Sequence, residues 1–89
     1  MLPNQFHANA ISELLTLQQM REISGLQFMQ GILDGHYPSP PVGKTLGYYL
    51  SEVEEGRVVF SGAPRFDTFN PMGTVHGGWY GTLLDSAMA

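Results

Sequence analysis

The run His36-Tyr37-Pro38-Ser39-Pro40-Pro41 divides this 89-residue chain into two parts that cannot share one regular element. Its prolines lack amide protons and push the residues before them out of helical geometry, so a helix entering from the N-terminal side must stop there. On the N-terminal side the apolar residues recur at helical spacing. On the other side two segments read as strands. The expectation is an α+β chain forming one domain at most, with residues 36 to 41 as an extended connector.

Residues Met1 to Ala10 are polar and aperiodic and read as a frayed lead-in, with His7 solvated. From Ile11 to Ile23, the residues Ile11, Leu14, Leu15, Leu17, Met20 and Ile23 follow three- and four-residue steps, the pattern of an amphipathic helix. Residues 1 to 23 are therefore set apart as a lead-in and helix. Ser24 with Gln27 three positions on announces a second helix, because each side chain can satisfy a free amide of the other. Leu26, Met29 and Leu33 share a face of it, Phe28 and Ile32 adjoin that face, and Gly35 is placed to end it in a left-handed conformation.

Beyond the connector, Leu46 to Val53 and Arg57 to Ser61 carry strand-forming residues, and Glu54-Glu55-Gly56 supplies a tight turn between them. An antiparallel hairpin is expected. Arg65 to Thr74, with Pro71 and Gly73, reads as a loop. A last helix starts near His76 or Gly77. It contains Trp79, Tyr80, Leu83, Leu84, Ala87 and Met88, apolar nearly all round, the signature of a buried helix. It has no stop signal before Ala89, and a lone hairpin offers a buried helix too little to pack on. The expectation is a domain truncated after the start of its central helix.

Composition closes off several functions. Hydrophobic residues make up 43% and charged residues 13%, which favours folding over disorder. Arg21, Lys44, Arg57 and Arg65 are scattered in a chain of net charge -4, leaving no basic stripe for nucleic acid. There is no cysteine, hence no disulfide framework, thiolate nucleophile or cysteine zinc site. No apolar run is long enough to span a bilayer, and the start lacks a signal-peptide pattern. A cytoplasmic chain is expected, with no membrane or nucleic-acid partner. His7, His36 and His76 lie in different segments without ligand spacing, so neither metal nor other cofactor is expected.

The chemistry concentrates in Asn70-Pro71-Met72-Gly73-Thr74-Val75-His76-Gly77-Gly78 and in Leu83-Leu84-Asp85-Ser86-Ala87. An aspartate among leucines and alanines costs desolvation free energy unless it is paired, exposed at an edge, or used. Gly78 and Gly81, seven and four residues before Asp85, share its helical face, so a backbone or a ligand can come close there. Close packing and ligand approach are both compatible with that. His76-Gly77-Gly78 at a helix start presents unpaired amides and the positive end of the helix dipole, which would polarise a carbonyl oxygen. His76 serves either as a helix cap or in contact with substrate.

From Ser24 onward the chain resembles the PaaI-like hot-dog acyl-CoA thioesterases. Asn70, His76-Gly77-Gly78 and Asp85 match that family's Asn, His-Gly-Gly and acidic residue in order and spacing. The resemblance implies a hot-dog fold over residues 24 to 89, an antiparallel sheet wrapped around a central helix, with further strands following. It implies hydrolysis of acyl-CoA, including arylacyl-CoA, in a homodimer or dimer of dimers whose sites lie between protomers. Gly77 would donate its amide to the thioester carbonyl, and Asp85 would act as nucleophile or as general base. Asn70 would position water or the carboxylate, and His76 would support the carbonyl end. Gly78, Gly81, Met72 and Trp79 would contact substrate, although aromatic residues beside such a helix equally serve as core. A non-catalytic acyl-CoA-binding module, an inactive fragment and a hot-dog dehydratase are the competing readings.

Overall fold

The computed structural model describes residues 1 to 88, so how the last helix ends at Ala89 lies outside the described residues. Helix α1 spans Leu17–Arg21, α2 Gly25–Asp34 and α3 Pro41–Leu46; strand β1 spans Tyr48–Glu54 and β2 Arg57–Gly62; helix α4 spans Gly77–Met88. The architecture is α+β, with one two-stranded antiparallel sheet among the described residues. Helix α2 packs on β1, and α4 packs on β2.

The hairpin forms near where the sequence placed it, but its first strand starts at Tyr48 rather than Leu46, because Leu46 closes α3 and Gly47 ends that helix at φ 78°. Glu54 faces Arg57, and Gly56 takes φ 76° to turn the chain between them. The register shifts between Leu50 and Glu52, and the Ser51 hydroxyl at this irregularity bonds Val59 O at 3.0 Å and Ser61 Oγ at 2.7 Å. Glu52 holds Arg57 by a hydrogen bond and by its charge, with Glu54 adding to both, and this raises the Arg57 pKa. These exposed pairs add little to stability.

Helix α2 begins at the expected box. Ser24 Oγ accepts from Gln27 N at 3.0 Å, and Gln27 Oε1 accepts from Ser24 N at 2.8 Å. It ends at Gly35, whose φ is 84°. Ile32 is buried against the sheet with Phe28 and Met29 half-buried beside it, whereas Leu26 is exposed. The Tyr37 ring lies against Gly31, where an added Cβ would collide with it.

Three expectations need correction. The segment from Ile11 to Ile23 is not one helix: it makes a 3₁₀ turn at Ile11–Glu13, breaks, and restarts as α1. Thr16 and Gln19 form a second capping box there, and Ile11 is 88% exposed, so no tertiary face holds a longer helix together. The lead-in is not frayed. Ser39 N donates to Phe6 O at 2.7 Å, Ala8 N donates to Ser39 O at 3.3 Å, and the buried Gln5 side chain donates to Leu50 O at 2.8 Å. His7 is half-buried, its Nδ1 3.2 Å from Pro40 O. Finally, the connector is shorter than expected. Pro41 opens α3, since proline at a first helical position loses an amide that would lack a partner anyway.

Substituting Gly31→Ala should destabilise the chain by about 1–3 kcal/mol, because Tyr37 must leave its seat on the helix. Gly25→Ala, in open space at the start of α2, should leave stability unchanged or raise it by up to about 1 kcal/mol. Urea unfolding midpoints of the two variants check both.

Candidate functional site

Helix α4 is held to the end of α3 and to the sheet by two polar contacts and one large side chain. Trp79 is 5% exposed, and its Nε1 donates to Leu46 O at 2.7 Å. Two turns later the Ser86 and Tyr48 hydroxyls bond at 2.8 Å. Positions 79 and 86 share a face, with Thr82 and Leu83 half-buried between them. The opposite side, with Gly77, Gly81, Leu84, Asp85 and Met88, is exposed. The expected burial of α4 on all sides is therefore not found: Leu84 is 58% exposed. A two-stranded sheet covers one stripe of a helix and no more.

The residues before α4 are fixed by Asn70. Its Oδ1 accepts from Met72 N at 3.0 Å and Thr74 N at 3.2 Å, while its Nδ2 donates to Thr74 Oγ1 at 2.9 Å. Gly73, at φ 82°, completes the turn, and Phe69 bridges to Val75 across it. The chain then enters α4 with His76 N donating to Thr68 O at 2.9 Å. Met72, at the tip of this turn, is 83% exposed and lies along neither the cavity nor the groove described below.

His76 caps the helix. Its Nδ1 accepts from Gly78 N at 2.9 Å, so in this arrangement the ring proton sits on Nε2, which is available as a donor. The Gly77 amide has no acceptor among the described residues, and Gly77 is exposed. The helix start thus presents one free backbone donor next to one imidazole, with the dipole behind them.

Hollows lie on either side of α4. A cavity of about 460 Å³ lies between α2, the hairpin and α4, walled by Phe28, Met29, Ile32, Tyr48, Leu50 and Phe60, with Asp85 and Ser86 along its edge and His7 among its lining residues. A shallower groove of about 370 Å³ runs by the helix start, along Leu46, Asp67, Phe69, His76, Gly78 and Trp79. The structure therefore brings His76, Gly78 and Trp79 together at one hollow and sets Asp85 at the other. Eight residues separate Gly77 from Asp85, about 12 Å at 1.5 Å per residue, too far for both to act on one carbonyl from the same chain.

Asp85 is exposed rather than enclosed, so here it carries no burial cost. Gly78 and Gly81 are exposed on the same side, and a side chain at Gly81 would meet nothing. Trp79 is core, its indole proton spent on a backbone carbonyl, though its edge lines the groove. The sequence assigned no role to Tyr48 or Ser86, and it set His7 in solvent, whereas His7 is half-buried along the cavity. Only the Asn-Pro-x-Gly turn around Asn70 carried a local signal for its role in the loop. Among the described residues no three His, Asp or Glu side chains are grouped to hold a metal ion, and no helix is long and apolar enough to cross a membrane.

Replacing Asn70 with Ala removes three hydrogen bonds from the turn, and the Met72 and Thr74 amides should exchange with solvent at least about tenfold faster. Asn70→Asp keeps the accepting oxygens and should stay near the parent rate. Residue-resolved hydrogen exchange reads both.

Compared with models of known protein families, with curated proteins and with solved structures, the chain gives no match in any of the three.

Proposed function

We propose that this chain is a protomer of an acyl-CoA thioester hydrolase of the hot-dog type. Its hairpin and α4 would supply the first strands and the central helix, and its sites would be shared between two copies. One observation carries the proposal. The outward, glycine-lined side of α4 holds a free amide at Gly77 and a carboxylate at Asp85, and the midpoint between them is Gly81. A twofold axis crossing an antiparallel pair of α4 helices at Gly81 would set Gly77 of each copy opposite Asp85 of the other. The absence of a side chain at Gly81 would let the two helices approach closely.

In such a site the thioester carbonyl oxygen accepts from the Gly77 amide, with the His76 Nε2 proton close by. The negative charge that develops on that oxygen in the transition state falls at the positive end of a helix. Asp85 of the partner either attacks the carbonyl carbon, forming an anhydride that water opens, or takes a proton from water as that water attacks. Either way the carbon–sulfur bond breaks, the thiolate leaves and gains a proton, and the acid is released. The apolar cavity edged by Asp85 suits the acyl or arylacyl group. A chain without cysteine fits a cytoplasmic, reducing setting.

A non-catalytic acyl-CoA-binding module is the second reading. It is favoured by the exposure of Asp85, which removes the cost that would demand a chemical use for a buried acid.

Release of free thiol from a panel of acyl-CoA and arylacyl-CoA thioesters tests the proposal. Asp85→Asn should lower turnover by at least about 100-fold while leaving the oligomer intact. Equal turnover by the variant removes Asp85 from the chemistry. Binding of a non-hydrolysable acyl-CoA analogue without any thiol release selects the binding module.

Gly81→Leu should fold as the parent does but lose both dimer and activity, since Gly81 is exposed, an added Cβ there meets nothing in one chain, and the longer side chain would block the second. Sedimentation velocity together with the thiol assay checks this, and a dimer that survives the substitution sinks the Gly81 crossing.

A further inference from the structure

The cavity between α2, the hairpin and α4 has polar groups along its lead-in wall that the chain leaves unspent. His7 and Ser39 form a parallel bridge, in which Ser39 N donates to Phe6 O and Ala8 N donates to Ser39 O. Side chains of residues paired in this way leave the backbone on one face, with about 5 Å between the two stretches. Both residues line the cavity.

Each of them brings an atom without a partner. Ser39 is 3% exposed, and its hydroxyl makes no hydrogen bond among the described residues. A buried hydroxyl left in that state is costly, and it is rare in a folded chain. On His7, Nδ1 lies 3.2 Å from the Pro40 carbonyl, which only accepts, so the proton of the neutral ring sits on Nδ1. Nε2 is then an acceptor, and it bonds nothing among the described residues. The ring rests beside Gly43, its Cε1 3.5 Å from where a Cβ would stand.

On the α4 side, by contrast, the Ser86 and Tyr48 hydroxyls bond each other, and Asp85 is exposed at the edge. Between the two sides the walls from Phe28, Met29, Ile32, Leu50 and Phe60 are apolar. An occupant that completes the lead-in wall has to donate to Nε2 of His7 and answer the hydroxyl of Ser39. A carboxylate only accepts, and would set its charge against a lone pair. An ammonium only donates, and would lose its water among apolar walls. A hydroxyl donates and accepts without a charge.

We propose that the cavity binds a compact apolar molecule carrying one hydroxyl, which donates to His7 Nε2 and accepts from Ser39 Oγ. A volume of about 460 Å³ holds a substituted six-membered ring. The site is built from one chain, so it requires neither paired α4 helices nor hydrolysis.

Calorimetric titration of the full chain with 4-ethylcyclohexanol and with its methyl ether tests this. The ether accepts but cannot donate, so the alcohol should bind about tenfold more tightly. Ser39→Ala removes an oxygen that bonds nothing in the free chain and should therefore keep the fold while weakening the alcohol about fivefold. His7→Phe should bring the alcohol down to the affinity of the ether; should that variant not fold, the ratio measured on the parent chain still decides. No binding of the alcohol, or equal binding of alcohol and ether by the parent, overturns the proposal. So does a folded Ser39→Ala variant that binds the alcohol as the parent does.

The outcome is separable from that of the hydrolase proposal. Thiol release by a chain that fails these titrations keeps the chemistry and removes this site, whereas alcohol binding without thiol release keeps the site and removes the chemistry.

Discussion

The Tyr48 side chain is the contact on which the rest of the chain depends. Its position at the head of β1 requires glycine opposite: at Gly62 a Cβ would lie 2.6 Å from Tyr48 Cβ. It requires glycine again at Gly43, where a Cβ would lie 2.8 Å from Tyr48 O. Seated there, the ring meets Phe60 edge-on at 6.2 Å and reaches across to Ser86. One residue thus ties α3, both strands and α4 together. A phenol does this where phenylalanine would not, because its body packs while its hydroxyl finds a partner on another element.

What Tyr48 and Trp79 fasten is only one face of α4, and that leaves a conflict between local pattern and global coverage. Tyr80, Leu84 and Met88 recur every four residues on the open side, and Tyr80 sits edge-on to Trp79 with centroids 5.4 Å apart. An apolar stripe in water is a cost that a native chain ordinarily removes by covering it. The same side bears the glycines and Asp85, so whatever covers the stripe also meets the residues of the candidate site.

Local rules of the chain were legible from its residues. The Ser24 box, the Gly35 terminus, the Gly56 turn and the start of α4 near Gly77 each follow from interactions within a few positions, and each is found. Failures came where distance decides. The periodicity of residues 11 to 23 promised a helix with a face to bury, but among the described residues its Ile11 and Leu17 stay exposed, and the Thr16 box takes over. Nothing local could show that Gln5 would reach Leu50, or that His7 would lie along the same cavity as Asp85. The candidate site behaved likewise. The order Asn70, His76, Gly77, Asp85 is visible in one line of sequence, whereas the separation of the helix start from the carboxylate appears only once the helix is laid out in three dimensions.

That separation bears directly on how such a site could work. A carbonyl polarised at Gly77 needs its nucleophile or base within hydrogen-bonding reach, and a rigid helix cannot bend Asp85 back over two turns. Another residue of the same chain could replace Asp85, but among the described residues the ionisable groups lining the groove at the helix start are His76, whose Nδ1 accepts from Gly78, and Asp67, which is exposed and only loosely paired with Arg65 at 3.5 Å. In the proposed dimer a second copy would supply that carboxylate with no new residue, because symmetry about Gly81 would exchange the two ends of the helix. The exposed stripe would then serve the same step: the surface that would bury Leu84 and Met88 is the surface that would bring Asp85 to Gly77. In the proposed dimer, stability and chemistry would be satisfied by one contact.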